Sequence, residues 1–131
     1  MQIEKLKFKS FDEDRGSLVP IEFNTLPFVP KRLFYVTSVP KDEERGNHAH
    51  IEAKQLLICI KGVIGVSLLY KDIGSYLILN KNEGVYIPNG FWDAQDFLTG
   101  DDVLLVLCST NYDKSDYIED IDSYFQLFGI K

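Results

Sequence analysis

Positive charge is scarce in this chain. Lysine and arginine together number 14 against 20 aspartates and glutamates, a net charge of −6 over 131 residues. That balance excludes nucleic acid as a partner, because phosphate-backbone binding depends on a basic surface. An anionic ligand must instead be met by a local group of cations. Arginine, whose fork matches phosphate oxygens, occurs only at Arg15, Arg32 and Arg45. Long apolar runs are missing as well. The longest stretch without charge, "VLLVLCSTNY" from Val103 to Tyr112, is far too short to span a bilayer. The start, "MQIEKLKFKS", lacks the apolar segment of a secretory signal. Cysteine is limited to Cys59 and Cys108, each within an apolar run. Two cysteines make no disulfide framework, so they read as buried reduced thiols. The expectation is a cytoplasmic protein without membrane contact, folded as a single domain over residues 1–131.

What the chain does have is aromatic and apolar residues in short alternating runs, broken by Gly, Pro, Asn or Asp. Strands are expected at Ser17–Phe23, Lys31–Val39, His48–Glu52, Lys54–Ile60, Val63–Tyr70, Tyr76–Asn80, Gly84–Ile87 and Val103–Ser109. "DEDRG" (Asp12–Gly16), "YKDIG" (Tyr70–Gly74) and "NKNEG" (Asn80–Gly84) supply turns. So many short, evenly spaced strands imply a β-sandwich or barrel. Only the tail has a helical rhythm, with Ile118, Ile121, Phe125 and Phe128 placed to lay one apolar face on the strands.

Histidine is the scarcest group that can move a proton at neutral pH. The chain has 2, and both fall in "ERGNHAHIEAKQLL" (Glu44–Leu57). On a strand His48 and His50 share a face while Ala49 takes the other. Facing inward, they form a catalytic pair in a cavity; facing outward, they are ordinary surface residues. Gly46 allows a bend just before them. An HxH is also half of a metal site. The metal-binding cupin pattern continues with Glu, then Gly, then PxGxxH. Here Lys54 or Gln55 stands in place of that Glu, and Pro88–Asp93 ends in Asp in place of His. His48, His50 and Asp93 remain a conceivable facial triad for iron(II), against which Lys54 would set a competing cation.

Four stretches together resemble one group, the cupin 3,4-ketoisomerases of dTDP-4-dehydro-6-deoxyglucose (FdtA/QdtA type, WxcM-like). They are "DRGSLVPIE" (Asp14–Glu22), "PFVPKRLFYV" (Pro27–Val36), "RGNHAH" (Arg45–His50) followed by "QLLICIKG" (Gln55–Gly62), and "NYDKSDYIEDIDSYFQLF" (Asn111–Phe128). The resemblance implies an all-β cupin fold, a double-stranded β-helix jelly roll with a short C-terminal helix. It implies a cytoplasmic homodimer without metal or other cofactor. That dimer would pass a dTDP-linked 3-keto sugar to an aminotransferase in the synthesis of 3-amino-3,6-dideoxyhexoses of surface glycans. By the resemblance His48 is the base, and His50 orients it, relays a proton or polarises the ketone. Arg15, Arg32, Tyr35, Arg45, Gln55, Trp92 and Asp93 are the substrate-binding candidates. The arginines would meet pyrophosphate or sugar, and Tyr35 would donate to the enediolate. Trp92 would stack on the base or fill the barrel mouth. Tyr112 and Tyr117 are read as packing residues. The chain departs from the family at Phe34, where a tyrosine is usual, at Asp93, where His or Arg is expected, and at Ile51 and Lys54. Arg15 favours a product of galactose configuration. The rival readings are the metal-dependent cupin and a non-catalytic sugar-nucleotide-binding cupin.

Overall fold

The computed structural model describes residues 3–128. Its strands are β1 (Glu4–Lys7), β2 (Phe11–Glu13), β3 (Gly16–Leu18), β4 (Arg32–Val36), β5 (Glu43–His50), β6 (Gln55–Lys61), β7 (Ile64–Tyr70), β8 (Ile73–Leu79), β9 (Glu83–Ile87), β10 (Phe91–Phe97), β11 (Val103–Cys108) and β12 (Tyr117–Ile118), followed by helix α1 (Ile121–Leu127). Two five-stranded antiparallel sheets face each other, one ordered β1-β9-β6-β11-β4 and the other β12-β5-β10-β7-β8. Strands β2 and β3 form a separate hairpin.

The core lies between the sheets, where Leu57 and Cys59 of β6 meet Val66 and Leu68 of β7, Phe97 of β10, and Leu104 and Val106 of β11. Both outer faces are covered. Leu56, Ile58 and Leu107 are capped by Ile21, Leu26 and Phe28 from the segment before β4, so β6 is apolar on both faces and reads as a continuous run. On the second sheet Ala49, Leu69 and Trp92 lie beneath Tyr124, Phe125 and Phe128. Asp120 caps that helix by accepting the Ser123 N–H. The Tyr124 hydroxyl donates to the Gly90 carbonyl at 2.7 Å and accepts the Lys71 N–H at 3.0 Å. The C-terminal rhythm is therefore a packing face, as expected, and both cysteines are buried free thiols.

Several elements differ from the sequence expectation, among them β1, β2 and β12, which it did not contain, and Ile118, which lies in β12 and not in the helix. The strand expected at Ser17–Phe23 stops at Leu18, and beyond Pro20, which cannot donate to a ladder, the chain makes a 3₁₀ turn at Phe23–Thr25. Strand β5 begins at Glu43 and ends at His50, because the Glu52 and Ala53 N–H groups turn to the Asp116 carboxylate instead of a neighbouring strand. Strand β10, "FWDAQDF", has no counterpart in the sequence reading. Its inward positions alternate Phe91, Asp93, Gln95 and Phe97, and its outward Trp92 is covered by the helix, so the usual apolar-in, polar-out code is scrambled.

Candidate active site

With Ala49 buried beneath the helix, His48 and His50 both turn between the sheets. Their ring centroids are 5.1 Å apart and the planes nearly perpendicular, at 86°. Their surroundings are different. His48 lines a cavity of about 90 Å³ together with Phe34, Arg45, Gln55, Asp93 and Gln95. His50 lies one step deeper toward β12, 5 % exposed, with its ring 4.3 Å from that of Tyr117. Its Nδ1 is 3.2 Å from Oδ2 of Asp116. The same carboxylate accepts the Glu52 and Ala53 N–H groups at 2.7 and 3.1 Å. A carboxylate accepts only, so Nδ1 of His50 carries the proton and Nε2 keeps its lone pair. Among the described residues Nε2 has no hydrogen-bond partner.

Burial governs the titration of both rings. It lowers His48 to about 4, with the neighbouring His50 adding to the shift. Burial also pushes His50 down, with help from the Arg32 charge, against the opposing pull of Asp116. Both imidazoles are therefore neutral at pH 7, and the His50–Asp116 contact is a hydrogen bond to a carboxylate, not an ion pair.

Directly across the ladder from His48 stands Asp93 of β10. Its carboxyl is 1 % exposed, accepts a hydrogen bond from Gln95 on Oδ1 and has no partner for Oδ2 among the described residues. Burial pushes it up to about 7, with the Gln95 bond opposing. The bend expected at Gly46 is a β-bulge, where β5 slips register between Asp93 and Ala94. Gly46 has φ +94°, and a Cβ there would sit 2.9 Å from Oε1 of Gln95 and 3.1 Å from the Asp93 carbonyl oxygen. Only glycine lets the strands close over the cavity at this point.

The structure brings some of the proposed binding residues together and not others. Arg45, Gln55 and Asp93 line the cavity with His48. Arg32 lies beside His50, donating to the Tyr117 hydroxyl at 3.3 Å, with its guanidinium over the rings of Phe34 and Tyr112 at 4.7 and 5.0 Å. Tyr35 is not in the cavity. On β4 it is Arg32, Phe34 and Val36 that turn inward, which leaves Tyr35 67 % exposed on the outer face. Trp92 packs against Tyr124 beneath the helix, with ring centroids 5.8 Å apart, on the face of β10 opposite Asp93. Arg15 sits in the turn of the β2–β3 hairpin and lines none of the cavity. Conversely, Asp116, Tyr117 and Gln95 take positions around the histidines that the sequence reading did not assign. Asp116 lies 66 residues from His50 along the chain, and no local pattern links them. The triad of His48, His50 and Asp93 is not a metal cradle: among the described residues no three His, Cys, Asp or Glu side chains converge as ligands. No described helix is long and apolar enough to cross a membrane.

Two packed antiparallel sheets, with two neutral imidazoles turned between them, define a cupin-type jelly roll. The chain belongs to the FdtA family, described as WxcM-like, C-terminal, whose model matches residues 1–129. It is 35% identical over 95% of its length, and 91% of the relative's, to a TDP-4-oxo-6-deoxy-alpha-D-glucose-3,4-oxoisomerase of Aneurinibacillus thermoaerophilus. It superimposes on the crystal structure of QdtA, a sugar 3,4-ketoisomerase of Thermoanaerobacterium thermosaccharolyticum in complex with TDP, with TM-score 0.90, 37% identity and coverage of 97% of this chain and 94% of that one. A variant of that enzyme with a histidine replaced by asparagine has been solved with TDP-4-keto-6-deoxyglucose. A 3,4-ketoisomerase from Helicobacter canadensis matches with TM-score 0.91 and 32% identity, covering 98% of each chain.

Proposed function

We propose that this chain is a TDP-sugar 3,4-ketoisomerase that converts dTDP-4-dehydro-6-deoxy-D-glucose into the dTDP-3-dehydro sugar, with His48 as the base. The observation that carries the reading is a neutral, half-buried imidazole lining the cavity of a chain that matches 3,4-ketoisomerases along nearly its whole length. The cavity opens to solvent and is lined by His48, Arg45, Gln55 and Asp93, so it can receive the reacting edge of a sugar ring. Moving a carbonyl from C4 to C3 requires exchange of protons along that one edge, which a neutral imidazole can perform. His50, locked in one tautomer by Asp116, keeps an unprotonated Nε2 and packs its ring beside that of His48.

A single base on one wall has a stereochemical consequence. In a gluco-configured 4-keto sugar the C3 hydrogen is axial. The same imidazole, returning a proton to C4 from the face it took one at C3, places the new hydroxyl on the opposite face. That is the galactose configuration, in line with the expectation drawn from Arg15. Arg45 at the cavity and Arg32 near it supply local cations for the diphosphate or sugar in a chain of net charge −6. Arg15 would arrive from a second copy. Its hairpin joins neither sheet and exposes Phe11 (51 %) and Leu18 (62 %), and an isolated hairpin is stable only when packed on something. A homodimer in which each hairpin docks on the other copy satisfies both needs. The buried free thiols suit a reducing compartment, and we place the enzyme in the cytoplasm as a step toward 3-amino-3,6-dideoxyhexoses.

The test is NMR of the reaction in deuterated water, with the product trapped by a 3-aminotransferase. Deuterium at C4 of the product or at C3 of recovered substrate and a galacto-configured trapped sugar are expected, and conversion should vanish in His48→Asn with the fold intact. Tight substrate binding with no deuterium uptake would instead mark a binding protein. A gluco-configured product would refute the one-wall transfer.

A further inference from the structure

A 3,4-keto shift moves two protons, not one: the carbon-bound proton goes from C3 to C4, and a hydroxyl proton goes from O3 to O4. His48 accounts for the first. We propose that Asp93 is a second catalytic residue, which enters the reaction as a carboxylic acid and carries the proton between the two oxygens. This rests on the ketoisomerase reading of the same cavity and names the group that completes it.

The placement of Asp93 carries the argument. It is the ladder partner of His48 on the neighbouring strand, so both side chains stand next to each other on one wall of the cavity. Its carboxyl is 1 % exposed, yet only Oδ1 is engaged, by Gln95. Oδ2 is buried without a partner among the described residues. A carboxylate kept for structure looks different here. Asp102, equally buried, has its oxygens taken by Val63 N–H, Thr99 N–H, Thr99 hydroxyl and Gly100 N–H. A half-satisfied buried carboxyl is costly, and a bound sugar bearing oxygens on adjacent carbons supplies the missing partner. The polar groups that face Asp93 across the cavity are His48 and Arg45 from β5 and Gln55 from β6, with Gln95 beside it on β10. Burial pushes Asp93 up to about 7 and His48 down to about 4, so between those values the resting pair is an acid beside a base.

The step balances without any co-reactant. His48 takes the C3 proton, the C3–H electron pair becomes the C3=C4 bond, and the C4 carbonyl π pair moves to O4, which takes the Asp93 proton. An enediol then lies between an imidazolium and a carboxylate. Asp93 next removes the O3 proton, the O3–H pair becomes the C3 carbonyl, and the C3=C4 pair takes the His48 proton at C4. Both side chains end in their starting states. Because the two share a wall, neither reaches the opposite face of C4.

Asp93→Asn keeps the shape and the Gln95 contact while removing the exchangeable acid. We expect kcat to fall about 100-fold or more, the range of general acid–base effects, with KM within about threefold. The native enzyme should lose activity as pH rises through about 7, and that limb should be missing in Asp93→Asn. If the variant does not fold, infrared spectroscopy of the native protein decides. Among the described carboxyls only Asp93 is raised, so one carboxylic-acid band should persist at pH 6 and fade near pH 7. A native-like kcat in Asp93→Asn, or no such band, overturns the proposal. His48→Asn run alongside keeps the two readings separate: if it still exchanges the C3 proton at the native rate, the base assignment fails whatever Asp93 does.

Discussion

At His50 one carboxylate fixes both a ring and the backbone around it. Asp116 accepts two backbone N–H groups and the Nδ1–H of His50, so the ring has one orientation and one tautomer. Asparagine at 116 would keep an acceptor for the backbone but turn an amide N–H toward Nδ1. That forces the His50 proton to Nε2, which has no acceptor among the described residues. We expect Asp116→Asn to lower kcat about 10- to 100-fold, the scale seen when a group that orients a functional histidine is changed. Steady-state kinetics would check this, with KM little changed, while a thermal melt should show a modest loss because one of the two backbone N–H groups loses its acceptor. A loss confined to KM would mean that Asp116 serves binding and not ring orientation. Phe34, the departure from the family tyrosine, lines the cavity with its ring under the Arg32 guanidinium. It holds a cation in place where a phenol would offer a hydrogen bond.

At the scale of elements, β5 and β10 build the site and the turns around them hold it rigid. The bulge opposite Gly46 puts the Asp93–Ala94 register shift where the strand must bend over the cavity. Farther along, the Asp102 carboxylate ties the turn after β6 to the loop after β10. It accepts Val63 N–H at 2.8 Å, Thr99 N–H and Gly100 N–H at 3.1 Å each and the Thr99 hydroxyl at 2.8 Å. Burial alone would raise this carboxyl, and the four hydrogen bonds outweigh it and hold it below the usual range. Its folded-state pKa is thus depressed, so its stabilisation is full above the ordinary value of 3.8 and fades as pH falls through the lower folded value. Asp102→Ala should cost about 3 kcal/mol at pH 7, as the N–H groups lose their acceptor, and the gap to the native chain should narrow below about pH 4. Urea unfolding at both pH values measures it. A gap that is constant with pH would contradict the depressed carboxyl.

At the scale of the molecule, one part of the chain has nothing to lie on. The β2–β3 hairpin joins neither sheet and leaves Phe11 and Leu18 in solvent, whereas the outer faces around Leu56 and Ala49 are covered by the same chain. Replacing both residues with serine should shift the proposed dimer to a monomer in light scattering at micromolar concentration and lower activity by removing Arg15 from the partner's site. A double variant that stays dimeric and fully active would show that the hairpin serves neither purpose.

The strand alternation and turn signals sufficed for an all-β sandwich with a C-terminal helix. The parity of two residues per strand repeat paired His48 with His50 and set Ala49 opposite them. These are local properties, written in neighbours along the chain. On β4 parity has no sign: Leu33, Phe34, Tyr35 and Val36 put apolar side chains on both faces, so Tyr35 and Phe34 were equally good candidates for the interior until the sheet was assembled. Strand β10 stayed hidden because its inward residues are the polar ones the chemistry needs and its outward tryptophan is covered by the helix. Sequence by itself determined the family and the fold class, and paired His48 with His50 on one face of a strand. Only tertiary structure decided that Asp116 clamps His50, that Asp93 faces the cavity from the rung opposite His48, and that Trp92 and Tyr35 stand outside it. Those relations join strands far apart in the chain, and nothing local encodes them.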